Sequence, residues 1–122
     1  MTGAVLVVDD ESVTRRIVTF ALKPLNIEVL TAESAAAALE IANRRDISLM
    51  LLDINLPDMD GFSLIQEMRK IQRMANVPII SFTARNDTDD GARASALGAI
   101  GMLYKPFSMQ DLRDMVKKYA IP

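Results

Sequence analysis

Five short apolar runs alternate with five helical patterns along this chain, and that alternation constrains the fold more than any other feature. The runs cover residues 4–8, 27–31, 48–52, 78–82 and 100–104. The middle three are rich in Val, Ile, Leu, Met and Phe, as expected of parallel strands covered on both faces.

The intervening segments carry helix boundary signals. The first has apolar Val13, Ile17, Phe20 and Ala21 at helical spacing, which predicts the buried stripe, and Pro24 closes it. The second follows Ser34, a good N-cap, and runs through four alanines to Leu39 and Ala42. The third follows Gly61 and is expected to bury Phe62, Ile65, Met68 and the stem of Gln72. The fourth spans about 87–97, with Gly98 as its stop. The last begins at Ser108, with Asp111 three residues on as a weak capping box and a stripe of Met109, Leu112, Val116 and Tyr119. Arg113, Lys117 and Lys118 in its later turns read as a solvated face that suits the helix dipole.

Strict β-α alternation with short connections predicts an α/β fold. The expected form is a five-stranded parallel sheet doubly wound with five helices, its crossovers right-handed. The favoured order is 2-1-3-4-5, with a switch point between the first and third strands. No linker divides the 122 residues, so one domain over 1–122 is expected.

Composition narrows the chemistry. The absence of cysteine removes disulfides and thiolate metal sites, and the absence of histidine removes the commonest general base and zinc ligand. Any metal must therefore be held by oxygen, which favours a hard cation such as Mg²⁺. A net charge of −2 gives no electrostatic footprint for nucleic acid. The apolar runs are too short for a membrane span, and the first residues lack signal-peptide character. A soluble, cytoplasmic location is expected.

The predicted strands end in polar residues. The first ends in Asp9-Asp10, the third in Asp53, the fourth in Ser81-Phe82-Thr83-Ala84 and the fifth in Lys105-Pro106. Singly, each has an ordinary explanation: Asp10 a helix cap, Asp53 a turn-former, Thr83 a turn hydroxyl, Lys105 a solvated lysine. Jointly, they would converge at the carboxyl ends of neighbouring strands, where open α/β sheets place their chemistry. Converging carboxylates repel unless a cation sits among them.

The blocks VLVVDDE, LLDINLPDMDG, SFTA and ALGAIGMLYKPF resemble, in order and spacing, those of response-regulator receiver domains (CheY-like, flavodoxin-like fold), over roughly residues 4–119. The resemblance implies that Asp53 is a phosphoacceptor nucleophile. It implies Mg²⁺ held by Asp9, Asp10, Asp53 and the backbone carbonyl of Asn55, with Mn²⁺ able to substitute. Lys105 would pair with a phosphoryl oxygen, Thr83 would bond to another, and Pro106 would follow a cis bond. The donor would be a sensor histidine kinase or histidine phosphotransfer protein, and a downstream effector protein or domain would read the result. The family usually has Tyr or Phe three residues before the lysine; here that residue is Met102, with Tyr104 two residues later. Arg85, two residues after Thr83, would border the site.

Three other readings fit less well. A phosphatase of the haloacid dehalogenase type needs a second acid two residues after its nucleophile, where this chain has Asn55, and usually a cap insertion. A flavin site would want a Ser-, Thr- and Gly-rich loop after the first strand, where Asp-Asp-Glu repels phosphate. A pseudo-receiver that only binds partners would lack an acid, the hydroxyl or the lysine, and none is missing.

The fourth helical segment is the weakest, with Gly91 near its start and alanine-sized side chains in its body. Thr83 feeds it through Ala84. The expected output surface is therefore this segment, the fifth strand with Met102 and Tyr104, and the last helix.

Overall fold

The computed structural model describes residues 3–84, 98–105 and 107–119. Five strands form one sheet in the order β2-β1-β3-β4-β5. They are β1 (Ala4–Val8), β2 (Val29–Ala32), β3 (Ile47–Asp53), β4 (Ile79–Ala84) and β5 (Gly101–Lys105). Every pairing is parallel, so β1 and β3 lie side by side at the switch point, with Val8 opposite Leu52. The predicted order is the observed one.

The helices among the described residues are α1 (Ser12–Leu22), α2 (Ala35–Arg44), α3 (Gly61–Arg69) and the last helix (Met109–Tyr119). They cover both faces of the sheet. Alternate residues of the central strands point to opposite sides, and two separate cores result. Leu6, Val8, Met50 and Leu52 pack with α2 and α3 through Ala38, Phe62, Ile65 and Met68. Val5, Val7, Leu49, Leu51 and Phe82 pack with α1 and the last helix through Val18, Leu22, Leu112 and Val116. Burial on both sides explains why these strands read as unbroken apolar runs.

Caps set several boundaries. Ser34 Oγ accepts from Ala37 N–H at 3.2 Å, as its N-cap role requires. Asp60 Oδ1 accepts from Ser63 N–H at 2.9 Å and starts α3. Ser108 Oγ accepts from Asp111 N–H at 3.0 Å at the last helix. Pro24 lies in a short 3₁₀ turn, Lys23–Leu25, that follows α1, and Asn26 then turns left-handed at φ 55°. That turn delays β2 to Val29, two residues later than its apolar pattern begins, although the Glu28 carbonyl already accepts from Val5 N–H.

Three sequence expectations are corrected. Of the predicted α1 stripe only Ala21 is buried, together with Val18 and Leu22, whereas Val13 and Phe20 are 57% and 59% exposed and Ile17 is 38% exposed. The helix carries two apolar stripes, and packing against β1 and the last helix selects the second. After α3, a second 3₁₀ turn (Gln72–Met74) leaves Gln72 exposed and buries Met74 in its place. Arg113 is not part of a solvated face: it is half-buried, and its Nε donates to the Ala21 carbonyl at 2.7 Å, tying the last helix to α1. Lys117 and Lys118 are exposed as expected.

The predicted fourth helix, with Arg85, lies outside the described residues. Gly98, its expected stop, has φ 102°, a conformation that favours glycine. Among the described residues, no helix is long and apolar enough to cross a membrane.

A candidate phosphoacceptor site

The site grows from the ends of β1 and β3. β1 stops at Val8, and Asp9 and Asp10 follow before α1 begins at Ser12. Asp53 is the last residue of β3. Because the two strands pair in parallel, their carboxyl ends meet at one rim, and oxygens of Asp9, Asp10 and Asp53 lie within 4.8 Å of one another. Asp9 and Asp53 are buried, and Asp10 is exposed.

Two similar turns orient the buried carboxylates. Glu11 N–H donates to Asp9 Oδ1 at 2.9 Å, and Asn55 N–H donates to Asp53 Oδ1 at 3.0 Å. In each case an Asp bonds the backbone two residues on, the habit that suits it to turns. Here the turns aim carboxylates along the rim. Arg15, in the first turns of α1, sends Nη1 to the Asp9 carbonyl at 2.7 Å and holds the main chain of the acidic pair.

The connection from β3 to α3 forms one wall. Asn55 and Asp60 pair as an antiparallel bridge, and Gly61 N–H donates to the Ile54 carbonyl at 2.7 Å. A Cβ on Gly61 would sit 2.6 Å from Ile54 Cα, so the closure needs glycine. Over this wall an open cleft of about 430 Å³ runs from Asp10 past Asn55 and Pro57 to Asp60. At the tip, Asp58 accepts from the N–H groups of Ala35 and Ala36 at 2.9 and 3.1 Å. These two bonds hold its carboxyl below the usual carboxylate range.

Main-chain register sets the remaining predicted residues along the same edge. Asp53 is opposite Phe82 in β4, Thr83 is opposite Tyr104, and Ala84 is opposite Lys105, the last residue of β5. Met102 is half-buried and Tyr104 is exposed. Leu103 between them enters the core with α1, so Met102 and Tyr104 share the opposite face, as strand alternation predicts. Pro106 lies outside the described residues. Phe107 stacks on Phe82, ring centroids 5.0 Å apart, and fixes the chain just beyond β5.

Arg15 and Asp58 were not anticipated from the sequence. Arg15 stands six residues from the carbonyl it binds, on a helix whose observed rotation differs from the one its apolar spacing predicts. Asp58 binds amides 22 and 23 residues away, which no local pattern announces. The Asp60 cap had a local signal, an Asp immediately before the helical pattern.

This fold and rim are those of a phosphorylation-type signalling switch, and comparison with known proteins agrees. A family model described as the response regulator receiver domain matches residues 5–117. The probable transcriptional regulator ycf27 of Porphyridium aerugineum is 36% identical over 113 residues, covering 93% of this chain and 46% of the relative. The chain thus spans about half the length of such curated relatives. The chemotaxis response regulator CheY4 of Vibrio cholerae superposes with a TM-score of 0.90 at 28% identity, covering 98% of this chain and 99% of that one. The receiver domain of the sensor histidine kinase PA1611 from Pseudomonas aeruginosa, solved with a magnesium ion coordinated in its active-site cleft, gives 0.87 at 27% identity over 98% of both chains.

The chain belongs to the response regulator receiver domain family. It is a receiver domain of the two-component type, and the phosphatase and pseudo-receiver readings are not favoured.

Proposed function

We propose that Asp53 accepts a phosphoryl group from a phosphohistidine on a partner protein, with Mg²⁺ as cofactor. The observation that carries this reading is the meeting of three carboxylates, from Asp9, Asp10 and Asp53, at the paired ends of β1 and β3. Two unit charges 4 Å apart repel by about 4 kcal/mol at an effective dielectric near 20. One lysine in the neighbourhood would still leave two negative charges, which a divalent cation balances. The donors are all oxygens, as a hard cation prefers. Asp10, Asp53 and the Asn55 carbonyl would hold the ion directly, and Asp9 through water. Mn²⁺ would substitute. When bound, the ion supplies charge neutralisation for the incoming phosphoryl oxygens.

In the transfer, one Asp53 carboxylate oxygen bonds to phosphorus as the donor's N–P bond breaks. The bonding pair stays with the imidazole nitrogen, and an acyl phosphate remains on Asp53. Asp53 keeps one oxygen in the Asn55 N–H bond, which fixes the carboxylate for in-line attack. Thr83 would bond to one phosphoryl oxygen and Lys105 would pair with another. β5 lies two strands from β3, about 10 Å away at the usual strand spacing; that span suits a long cationic stem. Pro106, following Lys105, would help to aim it.

The domain, acting as a single unit over 1–122, is then a cytoplasmic switch and not an enzyme with a separate substrate; it catalyses its own phosphoryl transfer and slow dephosphorylation. The donor is a sensor histidine kinase or a histidine phosphotransfer protein, because this chain has no histidine to carry phosphate. The reader is a downstream effector protein or domain, not nucleic acid or membrane. It would bind the face made by segment 85–97, β5 with Met102 and Tyr104, and the last helix, displaced through Thr83 and Ala84. Met102 would follow this motion as a flexible filler.

The test is incubation with acetyl phosphate, with and without Mg²⁺. A Mg²⁺-dependent mass gain of one phosphoryl group, absent in Asp53→Asn, is expected. A gain in that variant at the wild-type rate overturns the assignment.

A further inference from the structure

α2 begins with four N–H groups that the helix itself leaves unpaired. The Ser34 side chain takes that of Ala37, as an ordinary cap does, and Ala38 N–H makes the first bond of the helix itself, to the Ser34 carbonyl. The Ala35 and Ala36 N–H groups are bound by the two carboxylate oxygens of Asp58, at 2.9 and 3.1 Å. Asp58 is no neighbour in sequence: it stands at the tip of the connection that leaves β3 after Asp53. The base of that connection is fixed to β3 and α3 by the Asn55–Asp60 bridge and the bond from Gly61 N–H to the Ile54 carbonyl. Its tip is joined to α2 by the two Asp58 bonds, with partly buried Leu56 and Met59 packed beneath. Pro57, with its restricted backbone, immediately precedes the clamp.

We propose that Asp58 is a positioning residue for the phosphoacceptor site: by clamping the 54–60 connection to the N-terminus of α2, it holds the Asn55 main chain in the place from which its carbonyl serves the metal. This rests on the reading that Asn55 is a ligand. The clamp acts at a distance, since Asp58 touches neither Asp53 nor the acidic pair in any hydrogen bond described. Its closing of the loop lowers the number of conformations the Asn55 carbonyl would otherwise sample, and preorganisation of this kind appears as affinity.

The test compares Asp58→Ala, Asp58→Asn and Ser34→Ala with the wild-type protein. Mg²⁺ affinity is measured by titration calorimetry, and amide exchange at Asn55 and Leu56 is measured without metal. Asp58→Ala should weaken Mg²⁺ binding about tenfold, the lower end of what outer-shell partners contribute, and should speed exchange at Asn55 and Leu56. Asp58→Asn removes the same charge but keeps one acceptor oxygen, so it should recover part of the affinity. Ser34→Ala weakens the same helix start without touching the connection, so its Mg²⁺ affinity should stay within about twofold of wild type.

Unchanged affinity and exchange in Asp58→Ala overturn the proposal. Equal losses in Asp58→Ala and Asp58→Asn overturn it too, because they assign the effect to charge alone. Equal losses in Asp58→Ala and Ser34→Ala assign it to helix stability and are equally adverse. If wild-type protein binds no Mg²⁺, the cofactor reading above fails, and the metal-free exchange measurement separately decides whether Asp58 positions the connection.

Discussion

Asn55 N–H donates to Asp53 Oδ1 at 3.0 Å, so the residue expected to offer a carbonyl to the metal is tied by its own amide to the expected nucleophile. The bond couples two features of one turn. It fixes the carboxylate plane, and it fixes the peptide plane that precedes Asn55.

Asp53→Asn should therefore abolish phosphorylation and leave the fold intact. The amide oxygen of Asn can still accept from Asn55 N–H, but a neutral amide does not attack phosphorus. Intact-mass measurement after acetyl phosphate treatment should show no added phosphoryl group. Circular dichroism should match the wild type.

Mg²⁺ should raise the unfolding midpoint, because the carboxylate cluster exists only when β1 and β3 are paired. At about 100 times Kd the gain is about 2.7 kcal/mol. Asp10→Ala should remove most of it. Chemical unfolding with and without millimolar Mg²⁺ checks both, and a midpoint indifferent to the ion in the wild type counts against the site.

The two apolar stripes of α1 should differ sharply in stability. Leu22 is fully buried, and Leu22→Ala should cost about 2–5 kcal/mol. Phe20 is 59% exposed, and Phe20→Ala should change stability by no more than about 0.5 kcal/mol despite the larger side chain removed. Urea midpoints of the two variants would reverse the order that side-chain size alone suggests.

Asp58 should contribute to stability at neutral pH and lose that contribution in acid. Its folded carboxyl lies below the ordinary range because Ala35 and Ala36 N–H groups bind the ionised form. A depressed pKa gives stability that is complete above the unfolded value, near 3.9. It is lost as pH falls through the lower folded value. The stability gap between wild type and Asp58→Asn should thus be widest near pH 7 and narrow below about pH 4. Unfolding curves at several pH values, without metal, read the gap directly.

Much of this molecule was legible in the chain itself. Parallel strands buried on both faces demand unbroken apolar runs, and the alternation with helices leaves few topologies once crossovers must be right-handed. Strand order then brings Asp9, Asp10 and Asp53 to one rim, a consequence of where each run ends. Tertiary structure alone decided three other things. Helix α1 offers Val13, Ile17 and Phe20 on one side of Ala21 and Val18 and Leu22 on the other, and its rotation is chosen by contact with the sheet and the last helix. Arg113 looked solvent-facing because its helix is charged there, yet the Ala21 carbonyl, 92 residues away, captures its guanidinium. Asp58 likewise carried no local sign of its partners, and only folding brought the start of α2 within 2.9 Å. Periodicity reports which residues avoid water; hydrogen bonds between distant segments depend on positions that exist only after those segments pack.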